Sequence, residues 1–390
     1  MRRLAAVAAL AGVLVPATGL QLPAAAAGAT TALPACHGWQ VVAGPAPTSS
    51  ALTAVAATSR RNAWAVGHVL DPALNTSEPL TEHWDGSAWS VVPFPEIPGA
   101  VGDVNSLLGV TALSRANAWT VGIFSTGTGA RALIGHWNGI RWKIVPSPNA
   151  GSGGIFLTAV AARTATDVWA VGQRQRTPDS FRKTLIEHWN GTRWKVVRSR
   201  NPGKTSNILF GVAVVSARRA WAVGQDSDSD GKTLAERWNG TRWRVVPTRN
   251  HGDGARYLRS VAAPSLRRAF AVGSYHQRHG ARTHDLAERW IRSRWLRSDT
   301  PNPGRNFNAL QGVAARSATR VWAVGTTRPS PLQRFSTLAE RWNGTRWRVA
   351  RTPSPGSGDD GLSGIAEIPH RGGFWAVGNA GDSTLIEFHC

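Results

Sequence analysis

The chain has 390 residues and a formal net charge of +22, with 19 Trp against 2 Tyr, 1 Met and 2 Cys. Nothing beyond its first residues approaches the roughly 20 apolar positions of a membrane-spanning helix. A chain this long exceeds what one compact core usually supports, and the Trp imbalance is foreign to ordinary globular composition, so several domains or a repeat architecture is expected.

Residues 1–29 carry two arginines, an apolar run and then small residues, the build of a cleaved signal peptide. The mature protein is therefore expected outside the cytoplasm, with 30–35 a short linker. CHGWQVV follows at 36–42. LPAC at 33–36 also approximates a lipobox, with Cys36 lipidated, although Pro34 suits that reading poorly.

From there one unit repeats. TLAERWNGTRWRV occurs twice unchanged, at 233–245 and 337–349, and a search at half that spacing finds the rest. The unit reads L-x-G-V-A-A, a short gap, W-A-V-G, a variable stretch, T-L-x-E-x-W-N-G-T-R-W-x-V-V and a Pro/Gly/Ser/Asn-rich connector. W-A-V-G begins at Trp64, Trp119, Trp169, Trp221, Phe270, Trp322 and Trp375. Each copy has four apolar runs of strand length and no useful helical period, and Asn-Gly between the third and fourth predicts a type I′ hairpin.

Four antiparallel strands repeated at about 50-residue spacing predict an all-β, seven-bladed β-propeller over 36–390. The expected blades span about 52–95, 107–148, 157–202, 209–250, 258–302, 310–355 and 362–390, the last completed by a closing strand at 36–44. A large ring at the same strand positions of every blade predicts Trp packed between blade faces. The alternative is a circle of exposed sugar platforms. The repeated Glu (Glu82, Glu187, Glu236, Glu288, Glu340 and Glu387, with Gly135 in the second blade) is expected to pair with arginines such as Arg193, Arg242 or Arg346.

The variable stretches between the second and third strands, about 68–79, 123–132, 173–183, 225–232, 274–284, 326–336 and 379–383, are expected to be long loops on one face, where binding residues usually sit. Within them, Asp226, Asp228 and Asp230 before Gly231 match the opening of a calcium loop, although Arg237 stands at the twelfth position where such a loop has Glu. A solvated acidic loop is the alternative. His276, His279, His284 and Asp285 have spacing that can bind a transition metal, with nothing to close a four-ligand set. Residues 151–350 hold 35 Lys+Arg and 12 Asp+Glu, net +23, against +2 for 1–150, so a basic arc is expected over blades three to six. Such an arc draws anionic polymers by long-range attraction weakened by salt.

The W-A-V-G strand, the aromatic before the turn and W-x-V-V-P-x-P after it resemble the kelch-type repeats of the galactose oxidase-like superfamily, with one glycine where kelch repeats have two. The Trp-rich units are also similar to tectonin-type lectin propellers. Neither likeness implies a function, since propellers host enzymes, lectins and scaffolds alike. The crosslinked Cys–Tyr of galactose oxidase has no counterpart: the only cysteines are Cys36 and Cys390, and no G-x-S-x-G or H-E-x-x-H motif is present.

The reading from sequence is a secreted, non-catalytic, monomeric propeller that binds an anionic extracellular polymer, a carbohydrate or a protein, with no specific nucleic-acid recognition and with calcium, at the Asp226, Asp228 and Asp230 loop, as the one cofactor its residues suggest. The alternatives are a tectonin-like lectin and a carbohydrate-active enzyme with its site in unrepeated loops. TLIEFHC at 384–390 aligns with TLIEHWN at 184–190, and CHGWQVV with GTRWKVV at 191–197. Cys36 and Cys390 thus occupy adjacent positions of a severed hairpin, within reach of a disulfide.

Overall fold

The computed structural model describes residues 38–390 apart from positions 46, 102–103, 149–152, 178, 228–230, 251–253, 278–281 and 371. Every regular element among them is a β-strand, and the strands pair antiparallel into repeated four-stranded sheets. In the third repeat, Ile155–Thr164, Asp167–Arg174, Lys183–Trp189 and Trp194–Val196 pair in chain order. A parallel bridge from Thr283 to Phe307 joins the fifth and sixth units into one eight-stranded sheet. The first strands pack on one another in succession, and Ser50–Ser59 of the first unit touches both Asn105–Ser114 of the second and Asp360–Ile368 of the last. The short strand Gln40–Val41 pairs with Ser383–His389 and places Gln40 opposite Phe388 and Val41 opposite Glu387. Lys195 and Val196 face His188 and Glu187 in the same register.

Two motif glycines have geometric causes. A β-bulge in each first strand, as between Leu157 and Ala159, adds one residue and drives the bulged backbone against the second strand. A Cβ on Gly172 would lie 1.9 Å from the Phe156 carbonyl oxygen, and the glycine of W-A-V-G meets the same obstacle in every repeat. The glycine of L-x-G-V-A-A lets neighbouring first strands approach: a Cβ on Gly211 would stand 2.9 Å from the Arg259 carbonyl of the next repeat.

The Asn-Gly turns depart from expectation. Only the glycines Gly139, Gly191, Gly240 and Gly344 have positive φ, at 94 to 105°, and each is the first central residue, the pattern of type II′ rather than I′. The asparagine sits one position earlier and accepts: the amides of Thr192 and Arg193 donate to Asn190 Oδ1 at 3.1 and 3.0 Å. The N-G-T triplets that begin at Asn190, Asn239 and Asn343 formally match a glycosylation sequon, and this turn accounts for their recurrence. Among the described residues, the fifth repeat alone shows positive φ at both central residues, Arg292 (49°) and Ser293 (69°), without a glycine.

Tryptophans fill the junctions. Trp169 of repeat 3 meets Trp238 and Trp243 of repeat 4 at 4.9 and 5.3 Å between centroids, and Trp375 of repeat 7 meets Trp84 and Trp89 of repeat 1 at 5.2 Å each. Trp39 takes the equivalent place against Trp322, 5.4 Å away, and is itself buried. All Trp except the half-buried Trp137, Trp189 and Trp238 are buried, so the rings are core between sheets.

Candidate functional site

Two sequence-selected sets fall partly on described residues. Asp226 is buried in strand Arg219–Ser227, opposite Lys232, while Asp228 and Asp230 lie outside the described residues. His276 ends a strand with its Nδ1 3.0 Å from Thr283 Oγ1, and His284 stacks on Tyr275 at 5.1 Å between ring centroids. Asp285, the next residue, points to the opposite sheet face and is buried, because side chains alternate along a strand; His279 lies outside the described residues. Among the described residues no cluster of metal-ligating side chains occurs. Several variable stretches expected as loops are mostly strand: pairing continues to Thr126 and resumes at Gly129, and it continues to Ala380 and resumes at Ser383. Tyr257 and Tyr275, the two tyrosines of the chain, lie in paired strands of the fifth repeat.

The repeated glutamates do not pair with Arg193, Arg242 or Arg346. Each Glu is buried on the face packed against the preceding repeat, whereas those arginines follow the hairpin turn and are exposed. The partner comes from the preceding connector, and its nature depends on one position. Where Arg200 follows Trp194 by six residues, its backbone N–H donates to Glu236 at 3.2 Å. Where that position is proline, with no N–H to give, the residue before it supplies a hydroxyl: Ser147 Oγ donates to Glu187 Oε1 at 2.9 Å, and Thr352 Oγ1 donates to Glu387.

Three junctions resolve this otherwise. Phe94 occupies the hydroxyl position between repeats 1 and 2, and the facing Glu is replaced by Gly135, whose missing Cβ would lie 2.7 Å from the Phe94 ring. Gly44 and Pro45 face Glu82, and among the described residues neither carboxylate oxygen of Glu82 has a hydrogen-bond partner. Between repeats 5 and 6, Pro301 replaces the amide donor and Thr300 Oγ1 donates to the Asp285 carbonyl instead, at 3.3 Å. Glu340 is left facing Asp285, which stands where other repeats have Thr184, Thr233 or Thr337.

Burial pushes Glu82 and Glu236 up to about 8, and Glu187, Glu288 and Glu387 up to about 7. Burial and then the neighbouring Asp285 carboxyl raise Glu340 further, and burial raises Asp285. These are interior acids, all shifted toward the neutral form by burial and fully enclosed.

A surface site is found on the outer edge instead. A groove of about 760 Å³ lies between the outer strands Trp194–Val196 of repeat 3 and Trp243–Val245 of repeat 4. Arg174, Arg198, Arg200, Arg242 and Arg244 line it, all exposed, together with Val196 and Val245, each 39% exposed. Arg174 ends its repeat's second strand and 198–202 begins the connector, so the groove lies toward the end of the sheet where the variable stretches are. Among the described residues, none of the five guanidinium groups has a hydrogen-bond or ion-pair partner. At the repeat 4–5 junction the corresponding residues are Asp226, Pro247, Arg249, Arg294 and Leu296, and at the 5–6 junction Tyr275, Asp299, Pro301, Arg346 and Arg348. No other junction gathers more than two cations at these five positions. Sequence reasoning placed a basic arc over these repeats but missed the convergence, because its members are spread over some 70 residues of chain. A column-by-column comparison of the repeats would have found it.

No known protein family and no curated protein matches the chain. Among solved structures it is similar to "YCF48 bound to D1 peptide", with a TM-score of 0.53 and 13% identity, over 91% of this chain and 96% of that one. The likeness establishes a β-propeller fold built from repeated antiparallel sheets. Among the described residues no helix is long and apolar enough to cross a membrane.

Proposed function

We propose that the protein is a secreted, non-catalytic, seven-bladed propeller that acts as a binding scaffold, recognising an anionic extracellular partner through the arginine groove between repeats 3 and 4. The observation that carries this is the convergence of five exposed guanidiniums at one junction of an otherwise regular ring, where the buried Glu236 feels the charge of Arg200 alone. Holding like charges together is unfavourable without a counter-charge, and this combination of cations occurs at no other junction. The buried tryptophans count against a lectin with exposed aromatic platforms, and the enclosure of the carboxyls counts against a ring of catalytic acids. That a structural neighbour carries a peptide is in keeping with a protein partner. Kelch-type or galactose oxidase-like character does not enter the proposal.

The ring is proposed to close by a Cys36–Cys390 disulfide beside strand Gln40–Val41. The register of that strand and the packing of Cys390 against the core support the pairing, and no free cysteine stands among the described residues. Cys36 itself lies outside them.

The binding reading is tested by retention of the purified protein on immobilised polyglutamate, polyphosphate and neutral dextran. Retention on at least one anionic matrix, falling steeply with salt, is expected, with none on dextran. Salt-insensitive retention, or turnover of any polysaccharide by the protein, would contradict it.

A further inference from the structure

We infer that the occupant of the arginine groove is an extended polypeptide segment in which carboxylate and apolar side chains alternate, a deepening that rests on the binding function proposed above. Three features of the groove choose this chemistry. The guanidinium forks of Arg198, Arg200 and Arg244 match carboxylates, with geometry as well as charge. The exposed Val196 and Val245 offer apolar contact that a uniformly ionic polymer would leave wet. Finally, Trp194–Val196 ends its sheet, and its outer edge pairs with no described strand. Backbone groups on such an edge accept another strand, and only a polypeptide brings the matching N–H and C=O. The groove volume of about 760 Å³ lies within the range of ligand sites, about 300–1,000 Å³, and suits a short segment.

Alternation follows from the same geometry. Side chains of an added strand point to opposite faces in turn, so carboxylates on the face toward repeat 4 meet the arginines while apolar groups on the other face cover Val196, which shares its face with Glu187. The segment needs no fixed sequence beyond this period, which fits a scaffold that holds an exposed acidic strand or tail of its partner.

The test is fluorescence anisotropy on the full secreted chain, with a labelled, end-capped decapeptide of alternating Glu and Val. A peptide of the same composition in two blocks, an alternating Gln/Val peptide and inorganic polyphosphate serve as comparators. The alternating acidic peptide should bind at least about tenfold more tightly than the blocked one, and the Gln/Val peptide should bind least. Arg198→Ala with Arg244→Ala should weaken binding by about a hundredfold, while Arg267→Ala with Arg346→Ala, exposed in the same basic arc, should change it less than about threefold. All four arginines are exposed, so melting temperatures should be unaltered. Equal binding of blocked and alternating peptides would refute strand recognition. Polyphosphate binding lost in the groove variant, with weak peptide binding, would assign the groove to an ionic polymer and leave the binding function standing. No binding of any anionic probe at low salt would overturn both.

Discussion

The junctions between repeats 3 and 4 and between repeats 5 and 6 share one architecture and have opposite electrostatics. At the first, the residue six after the outer-strand Trp is Arg200: its backbone N–H reaches the buried Glu236, and its side chain joins the surface groove. At the second that residue is Pro301, which provides neither, and Asp299 replaces the cation two positions earlier. The charge problem there moves inward, where Glu340 and Asp285 face one another with no basic partner close enough for an ion pair among the described residues. Two adjacent acids in a dry site cannot both ionise cheaply, so they hold a proton between them. The Arg200/Pro301 position and the Asp285 position together decide where the two junctions carry their charge, in solvent at the first and in the interior at the second.

The comparison breaks first at Asp285. Asp285→Thr restores the residue of repeats 3, 4 and 6, and Thr300 and Asn302 match the Thr248 and Asn250 that already hold Thr233. This variant should gain about 2 kcal/mol at pH 8.5, and less at pH 5 where added protons relieve the repulsion of the pair. Urea unfolding at the two pH values measures it; a loss of stability at both would mean that the acid pair is structural.

A smaller effect is expected at Glu82, whose junction also lacks a donor. Its pKa is raised from an ordinary 4.5 to about 8, so the folded state binds the extra proton. Stability from this group is fully present below about 4.5 and is lost as pH rises through about 8. The other raised glutamates act in the same direction, so the wild type should be more stable at pH 5 than at pH 9. Glu82→Gln should recover about 1–2 kcal/mol at pH 9 and leave pH 5 nearly unchanged. Thermal melts across that range check this, and a stability that rises with pH would contradict it.

Much of the fold was legible because repetition exposes strand period, turn and register together. The pairing of Gln40–Val41 with Ser383–His389 follows from aligning CHGWQVV on GTRWKVV. What escaped depended on the neighbouring repeat rather than on the unit itself. The glutamate partners are a backbone amide or a hydroxyl of the preceding connector, which side-chain charge matching cannot find. The single glycine of W-A-V-G answers a bulge on another strand. Asn-Gly was read as type I′ because the pair favours it, but Asn190 spends its side chain capping the turn and the positive φ falls on Gly191 alone. Arg174, Arg198, Arg200, Arg242 and Arg244 look like scattered basic residues until two sheets bring them to one groove.

The central claim, that this junction is the binding surface, is tested most directly by hydrogen exchange with and without the alternating Glu/Val decapeptide. Slowed exchange should be confined to 194–202 and 242–246, with the corresponding segments at 295–303 and 346–350 unchanged. Protection spread evenly over the basic repeats, or centred on the second junction, would contradict it.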